Sequence, residues 1–243
     1  MCTLTWTPHE GGFAVLFNRD ELLTRQPGLP PMVMDHGGTR ILCPRDGDHG
    51  GTWIGVNEHG VVVAALNGDP HAPRGAGPFR SRGLVVMDAL RARSAEAAIG
   101  FCEALDPASV QPFTLFAIDG VMQPIAFEHN LHHRARKAVD SPSLLASSSL
   151  VHEDAKAARA RHLLDRFAAP SSSRFELLAA FHQSHDPARG PLSPCMHRDD
   201  ARTVSASRVF VANGIARIEH HQGPPCELRQ WTSASLRLAA SRA

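Results

Sequence analysis

The sequence of 243 residues contains no tyrosine and only two lysines, Lys137 and Lys156, although lysine and arginine together number 25. Its cationic side chains are therefore almost all arginine, a skew typical of GC-rich bacterial genomes rather than of a particular chemistry. These charges are scattered, and the formal net charge is only +1. Composition thus gives no electrostatic reason to expect nucleic acid or an anionic membrane as a partner.

Long hydrophobic runs are also missing. No segment approaches the roughly 18 apolar residues that a membrane span requires. The N-terminus lacks a basic stretch followed by an apolar core, so we expect neither an integral membrane segment nor a secretion signal. The five cysteines are an odd number and form no CxxC pair, which argues against a disulfide framework and a zinc knuckle. A reducing cytoplasm is the simplest location.

Motifs for binding metals and phosphates are absent as well. None of the 15 histidines lies in HExxH or a comparable spacing, so we interpret them as surface residues. The segment CMHRDD places Cys195, His197, Asp199 and Asp200 close together, and a metal site there is the weaker alternative; we predict no metal. GAGPFRSRG lacks the preceding strand and following helix start that a phosphate-binding glycine loop needs.

The order of predicted elements indicates an α+β fold. Helical spacing occurs at 83–105, with a break near Arg93-Ser94, at 152–168 and in RFELLAAFHQSH. Predicted hairpins turn in TPHEGG, at 57–60, at Asp119-Gly120 and at Asn213-Gly214. The order β, α, β, α, β without a linker predicts sheets sandwiched by helices in one domain, 1–243. The Pro- and Gly-rich segments 24–52 and 68–82 are predicted to be loops, with the second long enough to be functional.

Cys2 follows the initiator methionine at the start of a predicted strand. A cysteine in a strand is ordinarily a small buried apolar residue. Its position opens a second interpretation, because removal of Met1 by an aminopeptidase would leave a free α-amine on Cys2. An α-amine titrates at about 7.7–8.0 and can accept the proton of its own thiol. Cys2 would then combine nucleophile and general base.

A polar tetrapeptide, Asn18-Arg19-Asp20-Glu21, follows the second predicted strand. It is either the solvated end of a hairpin, with Asp20 as a helix cap, or part of a site. An arginine near a thiol lowers the pKa of that thiol, and a carboxylate beside an α-ammonium orients it. Asn67 ends the strand VVVAALN, where its amide either initiates a turn or donates to an oxyanion.

The motifs MCTL, NRDE, GGTWIGVNEHGVVVAALN, SRG at 81–83 and CMHRDDARTVS at 195–205 resemble those of the NRDE family, also called the transport and Golgi organisation 2 family, in order and over essentially the whole chain. The resemblance implies a four-layer αββα sandwich, with two antiparallel sheets flanked by helices, related to N-terminal nucleophile (Ntn) hydrolases. Its layout is most similar to that of the cysteine hydrolases that cleave penicillin V or conjugated bile salts.

The resemblance also implies roles for residues. Cys2 is the nucleophile, Arg19 supports it, and Asn67 contributes to the oxyanion hole. The hydrolases separate their arginine and aspartate by two residues, so either Asp20 or Glu21 could serve here through a local bulge, and Asp20 is preferred.

Further substrate contacts are expected from five residues: Asn18, Glu21, Trp53, Ser148 and Arg202. Ser147-Ser148 stands where relatives tend to have Ser-Asn, so a second oxyanion asparagine is missing. Arg202 is the nearest substitute for an arginine that the hydrolases carry on a late strand, where this chain has His220-His221.

Together these features predict hydrolysis of a linear, non-peptide amide through a thioester acyl-enzyme, without a cofactor. The alternative is a non-catalytic carrier or chaperone that binds a hydrophobic cofactor such as haem, or a lipid, in the same cleft. Eukaryotic members of the family are associated with haem and lipid handling. The sequence has no CxxCH motif for covalent haem attachment.

Overall fold

The computed structural model describes residues 2–73, 75–141, 144–148, 151–168 and 173–240. Within these ranges the strands are β1 (Cys2–His9), β2 (Gly12–Leu22), β3 (Leu29–His36), β4 (Thr39–Arg45), β5 (Ile54–Asn57), β6 (Val62–Asn67), β7 (Phe113–Ile118), β8 (Ile125–His129), β9 (Arg134–Ala138), β10 (Leu144–Ser147), β11 (Ala201–Ala212), β12 (Ile215–Gln222) and β13 (Thr232–Arg237). The helices are α1 (Arg82–Ala89), α2 (Ala95–Glu103), α3 (His152–Ala168) and α4 (Arg174–Gln183), with short 3-10 helices at Pro107–Ser109 and Pro225–Glu227.

The strands form two sheets in which all neighbouring strands are antiparallel. One sheet has the order β10-β1-β2-β11-β12-β13, and the other has the order β3-β4-β5-β6-β7-β8-β9. Helices α3 and α4 cover the outer face of the first sheet, and α1 and α2 cover the outer face of the second. The predicted αββα sandwich is therefore confirmed.

Alternation along β1 determines which way the Cys2 side chain points. Cys2, Leu4 and Trp6 belong to the core between the two sheets. The intervening Thr3 and Thr5 face the helix layer and form hydrogen bonds with side chains of α3 and α4. Consecutive side chains of a strand point to opposite faces of its sheet. The Cys2 thiol is consequently directed into the space between the sheets.

Strand β6 is buried on both faces, as its continuous apolar run predicts. Val62, Ala64 and Leu66 contribute to the core between the sheets. Val61 and Val63 belong to the second core, beneath α1 and α2. A strand covered on both sides has no solvent face that could carry polar residues. Asn67, at its end, is the first residue after this run that can present a polar group.

The predicted helices are confirmed with small changes at their ends. The 83–105 segment forms two helices because Ser94 accepts a hydrogen bond from the backbone N–H of Ala97 at 3.1 Å and caps α2. Helix α3 spans the predicted 152–168, and α4 ends at Gln183. Within the described ranges, no helix combines the length and apolarity needed to cross a membrane.

The prediction that 24–52 is a loop is wrong in its middle, where β3 and β4 pair as a hairpin. Strand β3 is an edge of its sheet and contains Pro30 and Pro31. Proline cannot donate a backbone hydrogen bond, so it interrupts a strand pattern and is tolerated mainly at edges. The described part of 68–82 agrees better, since it contains only turns, bends and a single bridge residue, Arg80, before α1 begins.

Candidate functional site

Cys2 is held between two strands, paired with Ser147 of β10 on one side and with Arg19 of β2 on the other. Only 6% of Cys2 is exposed, and it lines a cavity of about 550 Å³. The free α-amine expected from the sequence depends on removal of Met1, which lies outside the described residues.

This cavity brings together six of the nine site residues that the sequence predicts: Cys2, Arg19, Asp20, Glu21, Trp53 and Asn67. Charged or titratable side chains that the sequence interpretation did not assign also line it: Arg25, Asp46, His49, Arg80 and Arg82. Strands β1 and β2 of one sheet, β6 of the other and the start of α1 contribute to its walls. The first hairpin and the end of β6 thus converge on one cleft.

Arg19 is fixed by three neighbours on the cavity wall. It donates a hydrogen bond from Nη2 to Oδ2 of Asp46 at 2.6 Å. Its guanidinium lies over the ring of Trp53, 4.3 Å from the centroid, a cation–π geometry. Glu21 lies 3.6 Å away as a second anionic partner. Arg19 therefore presents a cation near Cys2 in one defined orientation.

Asp46 is the acid that the sequence interpretation missed. Its carboxylate also accepts hydrogen bonds from Arg25 at 2.8 and 2.9 Å and from the backbone N–H groups of Asp48 and His49. Such a turn, in which an aspartate side chain binds backbone N–H groups after it, is a local feature of Asp-Gly sequences. The DGDHGG stretch carried this turn signal, but nothing in it indicated pairing with Arg19.

Asp20 contacts the site through its main chain, while its carboxylate points into the helix layer. Oδ1 accepts a hydrogen bond from Thr203 Oγ1 at 2.6 Å, and Oδ2 lies 3.5 Å from Nη2 of Arg159. The main-chain N–H of Asp20 donates to the Cys2 thiol. The bulge expected in the NRDE segment is not there, because the pairing of β1 with β2 is regular from Cys2 and Arg19 onward. The register shift lies instead in the neighbouring strand β11, between Thr203 and Ser205.

Arg159 is a fully buried residue of α3 that the amphipathic pattern of the helix did not single out. Besides Asp20, it donates to Thr3 Oγ1 at 2.7 Å and to the Cys2 carbonyl at 3.5 Å. It also donates to the carbonyls of Pro191 and Leu192. Arg159 thus connects the backbone of Cys2, the Asp20 carboxylate and the segment that follows α4.

Burial raises the pKa of the Cys2 thiol, and the Asp20 carboxylate raises it further, whereas the Asp20 main-chain N–H and Arg19 lower it. Burial also raises the pKa of Asp20, against the opposing effects of Arg159 and Thr203. A thiol with a raised pKa is protonated at neutral pH, and the thiolate is the reactive form. Any chemistry at Cys2 therefore needs a proton acceptor beside it.

Asn67 lines the cavity at the end of β6, and its side chain forms no hydrogen bond with the described part of the chain. Its amide N–H groups are available to a bound molecule. Ser148 is placed elsewhere, where its Oγ accepts a hydrogen bond from the Val151 backbone. The serine opposite Cys2 is Ser147, whose buried hydroxyl has no hydrogen-bond partner among the residues that the structure describes.

Asn18 and Arg202 do not line this cavity. Asn18 is fully buried and donates from Nδ2 to the carbonyls of His182 and Pro194 at 2.8 and 2.9 Å, so its contacts are structural. Arg202 is exposed and lines a smaller cavity of about 240 Å³. Arg19, Glu21 and Arg25 line both cavities, which makes the two adjacent.

Arg82 is the arginine of the cavity wall for which the described residues provide no acidic partner. Arg19 and Arg25 pair with Asp46, and Arg80 pairs with Asp88. Among the described residues, no carboxylate forms an ion pair with Arg82, which donates only to the Pro112 carbonyl at 3.1 Å. Burial lowers the pKa of Arg82, while Cys2 and Glu21 raise it. The SRG motif at 81–83 contributes to the family resemblance, but the sequence alone assigns no role to its arginine.

The interpretation of the histidines as surface residues is wrong for four of the described ones, His129, His162, His182 and His220, which are buried. Side chains suited to binding a metal gather outside the cavity: His185, Cys195, His197 and Cys226. The sequence placed Cys195 and His197 near Asp199 and Asp200. The two aspartates are not members of this group in the described part of the chain.

Solved structures with the same arrangement of layers are Ntn hydrolases. The C2A mutant of conjugated bile acid hydrolase from Clostridium perfringens matches with a TM-score of 0.57 and 13% identity, over 96% of this chain and 92% of that chain. Penicillin V acylase from Agrobacterium tumefaciens matches with a TM-score of 0.56 and 10% identity, over 92% of this chain and 84% of that one. The Caenorhabditis elegans ortholog of N-acylethanolamine-hydrolyzing acid amidase matches with a TM-score of 0.56 and 10% identity, over 86% of this chain and 92% of that one. At these identities the likeness shows the fold.

Among curated proteins, none matches this sequence. The family described as Transport and Golgi organisation 2 matches residues 1–213, which include all the strands and helices up to β11 and every residue that lines the cavity. On this match, the chain belongs to the Transport and Golgi organisation 2 family.

Proposed function

We propose that the protein hydrolyses a linear, non-peptide amide with Cys2 as the nucleophile. The observation that carries the proposal is the convergence on one cavity of the Cys2 thiol, the Arg19 guanidinium and the Asn67 amide, which has no hydrogen-bond partner among the described residues. The structures with a similar fold are named as a bile acid hydrolase, a penicillin acylase and an acid amidase. A cavity of about 550 Å³ suits a small molecule.

The first step needs a base, because burial keeps the thiol protonated. Once Met1 is removed, the α-amine of Cys2, with an ordinary pKa of about 7.7–8.0, takes the proton from Sγ. The Asp20 main-chain N–H and Arg19 both lower the pKa of the thiol, so they favour the thiolate as it forms. Sγ then attacks the carbonyl carbon of the amide.

Charge then develops on the carbonyl oxygen, and Asn67 is the donor available to it. Removing one such donor typically lowers kcat by about 100- to 1,000-fold. The α-ammonium returns its proton to the leaving nitrogen as the C–N bond breaks, which produces an amine and a thioester. Water deprotonated by the same α-amine attacks the thioester, releases the carboxylic acid and restores the thiol.

Arg82 gives the proposal a substrate class. An arginine that lines a cavity without an acidic partner favours a ligand that brings its own anionic group. We infer that the amide carries a carboxylate or a similar anion on one side of the scissile bond. Trp53 and Phe79, which also line the cavity, offer apolar surface to the remainder of the molecule.

The test is a panel of acyl-amides, half of them with a carboxylate, assayed with protein whose N-terminus has been determined by intact mass. Wild-type protein lacking Met1 should turn over an anionic member, and Cys2→Ser and Cys2→Ala should not. Arg82→Gln should raise KM for anionic amides more than for neutral ones. Arg93 is an exposed arginine that does not line the cavity, so Arg93→Gln should leave KM unchanged for both kinds of amide.

Full activity in Cys2→Ala would end the proposal. A retained Met1 would block the α-amine and leave the carrier hypothesis as the better account of the same cavity. That hypothesis has its own readout, a Soret band on titration with micromolar haem.

A further inference from the structure

Four side chains that the proposed hydrolysis does not use lie close together outside the cavity. His185 follows α4, Cys195 and His197 lie in the segment before β11, and Cys226 lies in the 3-10 helix Pro225–Glu227. One potential ligand atom from each lies within 4.8 Å of all the others. These atoms come from three parts of the chain, so their proximity is a product of the fold rather than of a local sequence motif.

The separations between these atoms fit a shared tetrahedral ion. Nε2 of His197 is 3.5 Å from Sγ of Cys195 and 3.4 Å from Sγ of Cys226. With Zn–S of about 2.3 Å and Zn–N of about 2.0–2.1 Å, tetrahedral geometry places N and S about 3.5–3.6 Å apart. Both pairs therefore already have the spacing of two ligands of one zinc ion.

His185 supplies an independent observation. Its Nε2 atom is buried and has no hydrogen-bond partner within the described chain. Buried polar atoms normally have one. The ring lies against that of His197, with centroids 5.0 Å apart, and one of its two nitrogens lies within 4.8 Å of the potential ligand atoms of the other three residues. A metal ion would satisfy it.

We propose that His185, Cys195, His197 and Cys226 bind one zinc ion in a closed, structural Cys2His2 site. Two thiolates neutralise the divalent charge, and imidazole with thiolate is the donor set that zinc prefers in tetrahedral sites. Four protein ligands leave no open position for a catalytic water. The exposed Arg189, 3.1 Å from Nδ1 of His197, turns aside when that nitrogen carries the proton.

The site would hold in place the segment 184–200, between α4 and β11, which contacts the partners of Asp20. The backbone N–H of Met196 donates to Thr203 Oγ1 at 2.9 Å, and that hydroxyl donates to Asp20 at 2.6 Å. Arg159, the other partner of Asp20, donates to the carbonyl of Leu192 at 3.3 Å. Three of the four ligands, His185, Cys195 and His197, lie in this segment. The metal would therefore stabilise the surroundings of Asp20 from outside the cavity.

The experiment measures metal in the full chain, purified without an affinity tag under reducing conditions. Elemental analysis should give one zinc per chain. After zinc removal, Co²⁺ should bind with the same stoichiometry and show the thiolate-to-cobalt charge-transfer and d–d absorption of a tetrahedral site. Cys226→Ser and His197→Asn should lower the affinity at least about 100-fold, since even outer-shell partners of a metal account for about 10- to 100-fold.

Two controls keep the result specific. Cys102→Ala, a buried cysteine outside the cluster, and Cys2→Ala should both bind Co²⁺ as the wild type does. Zinc far below one per chain with no cobalt–thiolate absorption in reduced wild-type protein would overturn the proposal. So would undiminished binding in Cys226→Ser, or a Cys195–Cys226 disulfide that persists in reductant. None of these readouts depends on amide hydrolysis, so this proposal and the proposed function can fail separately.

Discussion

Replacing Arg159 by methionine tests whether this residue stabilises the fold through Asp20. Both side chains are fully buried, with Nη2 of Arg159 3.5 Å from the carboxylate. Methionine retains much of the length but leaves Asp20 in the interior without its cation. Removing one partner of a buried ion pair typically costs about 3–5 kcal/mol. We expect the free energy of unfolding at pH 8 to fall by that amount.

The dependence on pH has a defined sign. Burial raises the pKa of Asp20 in the folded protein above the value of about 3.9 expected when unfolded. The folded state therefore holds the proton more tightly, and the stability that this contributes is fully present below about pH 3.9 and is lost as pH rises through the folded pKa. Loss of Arg159 raises that pKa further. The free energy of unfolding that Arg159→Met loses relative to the wild type should consequently be larger at pH 8 than at pH 5.

Urea unfolding at pH 5, 6 and 8 measures this loss of stability, in a double-mutant cycle that combines Arg159→Met with Asp20→Asn. The double variant should be less destabilised than the sum of the single variants, because no charge is then left unpaired. Additivity within about 0.5 kcal/mol, or a deficit independent of pH, would refute the reasoning. The exposed Arg161 of the same helix is the matched control, and Arg161→Met should change stability by less than about 0.5 kcal/mol.

Two further predictions concern titration. Asp46→Asn removes one of the two anionic partners of Arg19, so the pKa of Cys2 should fall, whereas Arg19→Gln should raise it. The rate of alkylation at Cys2, measured against pH by peptide mass, would contradict this if the pKa shifted in the same direction in both variants. Burial lowers the pKa of His182 to about 3, below the value of about 6.5 in the unfolded chain. The stability that the neutral imidazole contributes is therefore present above about pH 6.5, and it is lost on acidification at up to about 1.4 kcal/mol per pH unit. His182→Gln should therefore lose less stability than the wild type between pH 7 and pH 5 in urea titrations, and identical losses would argue against the assignment, with His132→Gln as the exposed control.

The interior of both sheets was predictable because interior strands carry the clearest patterns. Strands β1, β2, β5, β6, β7, β8, β11 and β12 coincide with apolar or alternating runs. Their turns carry strong signals as well, such as Asn213 and Gly214, whose φ angles are 51° and 75°. The strands that the patterns missed include all four edges, β3, β9, β10 and β13. Edge strands are short, charged or rich in proline because such sequences discourage further pairing.

The cavity was predictable to the extent that strand order determines it. Cys2 and Arg19 are opposite one another on adjacent strands, so a sequence that predicts the hairpin also predicts their proximity. Arg159 lies 139 positions from Asp20, and only the packing of α3 against the sheet brings them together. The Cys2His2 cluster is similar, because its cysteines lie 31 positions apart and no fixed spacing identifies it.

The bulge in β11 has a consequence for how the length of this chain can vary. The additional residue, Val204, reverses the inside–outside phase of the strand, so that Thr203 faces the helix layer with Asp20 while Val209 and Val211 face the core between the sheets. Losing one residue here would turn either the hydroxyl away from Asp20 or the valines out of the core. Insertions and deletions should therefore be excluded from 201–212 in related proteins and accommodated at the Asn213-Gly214 turn.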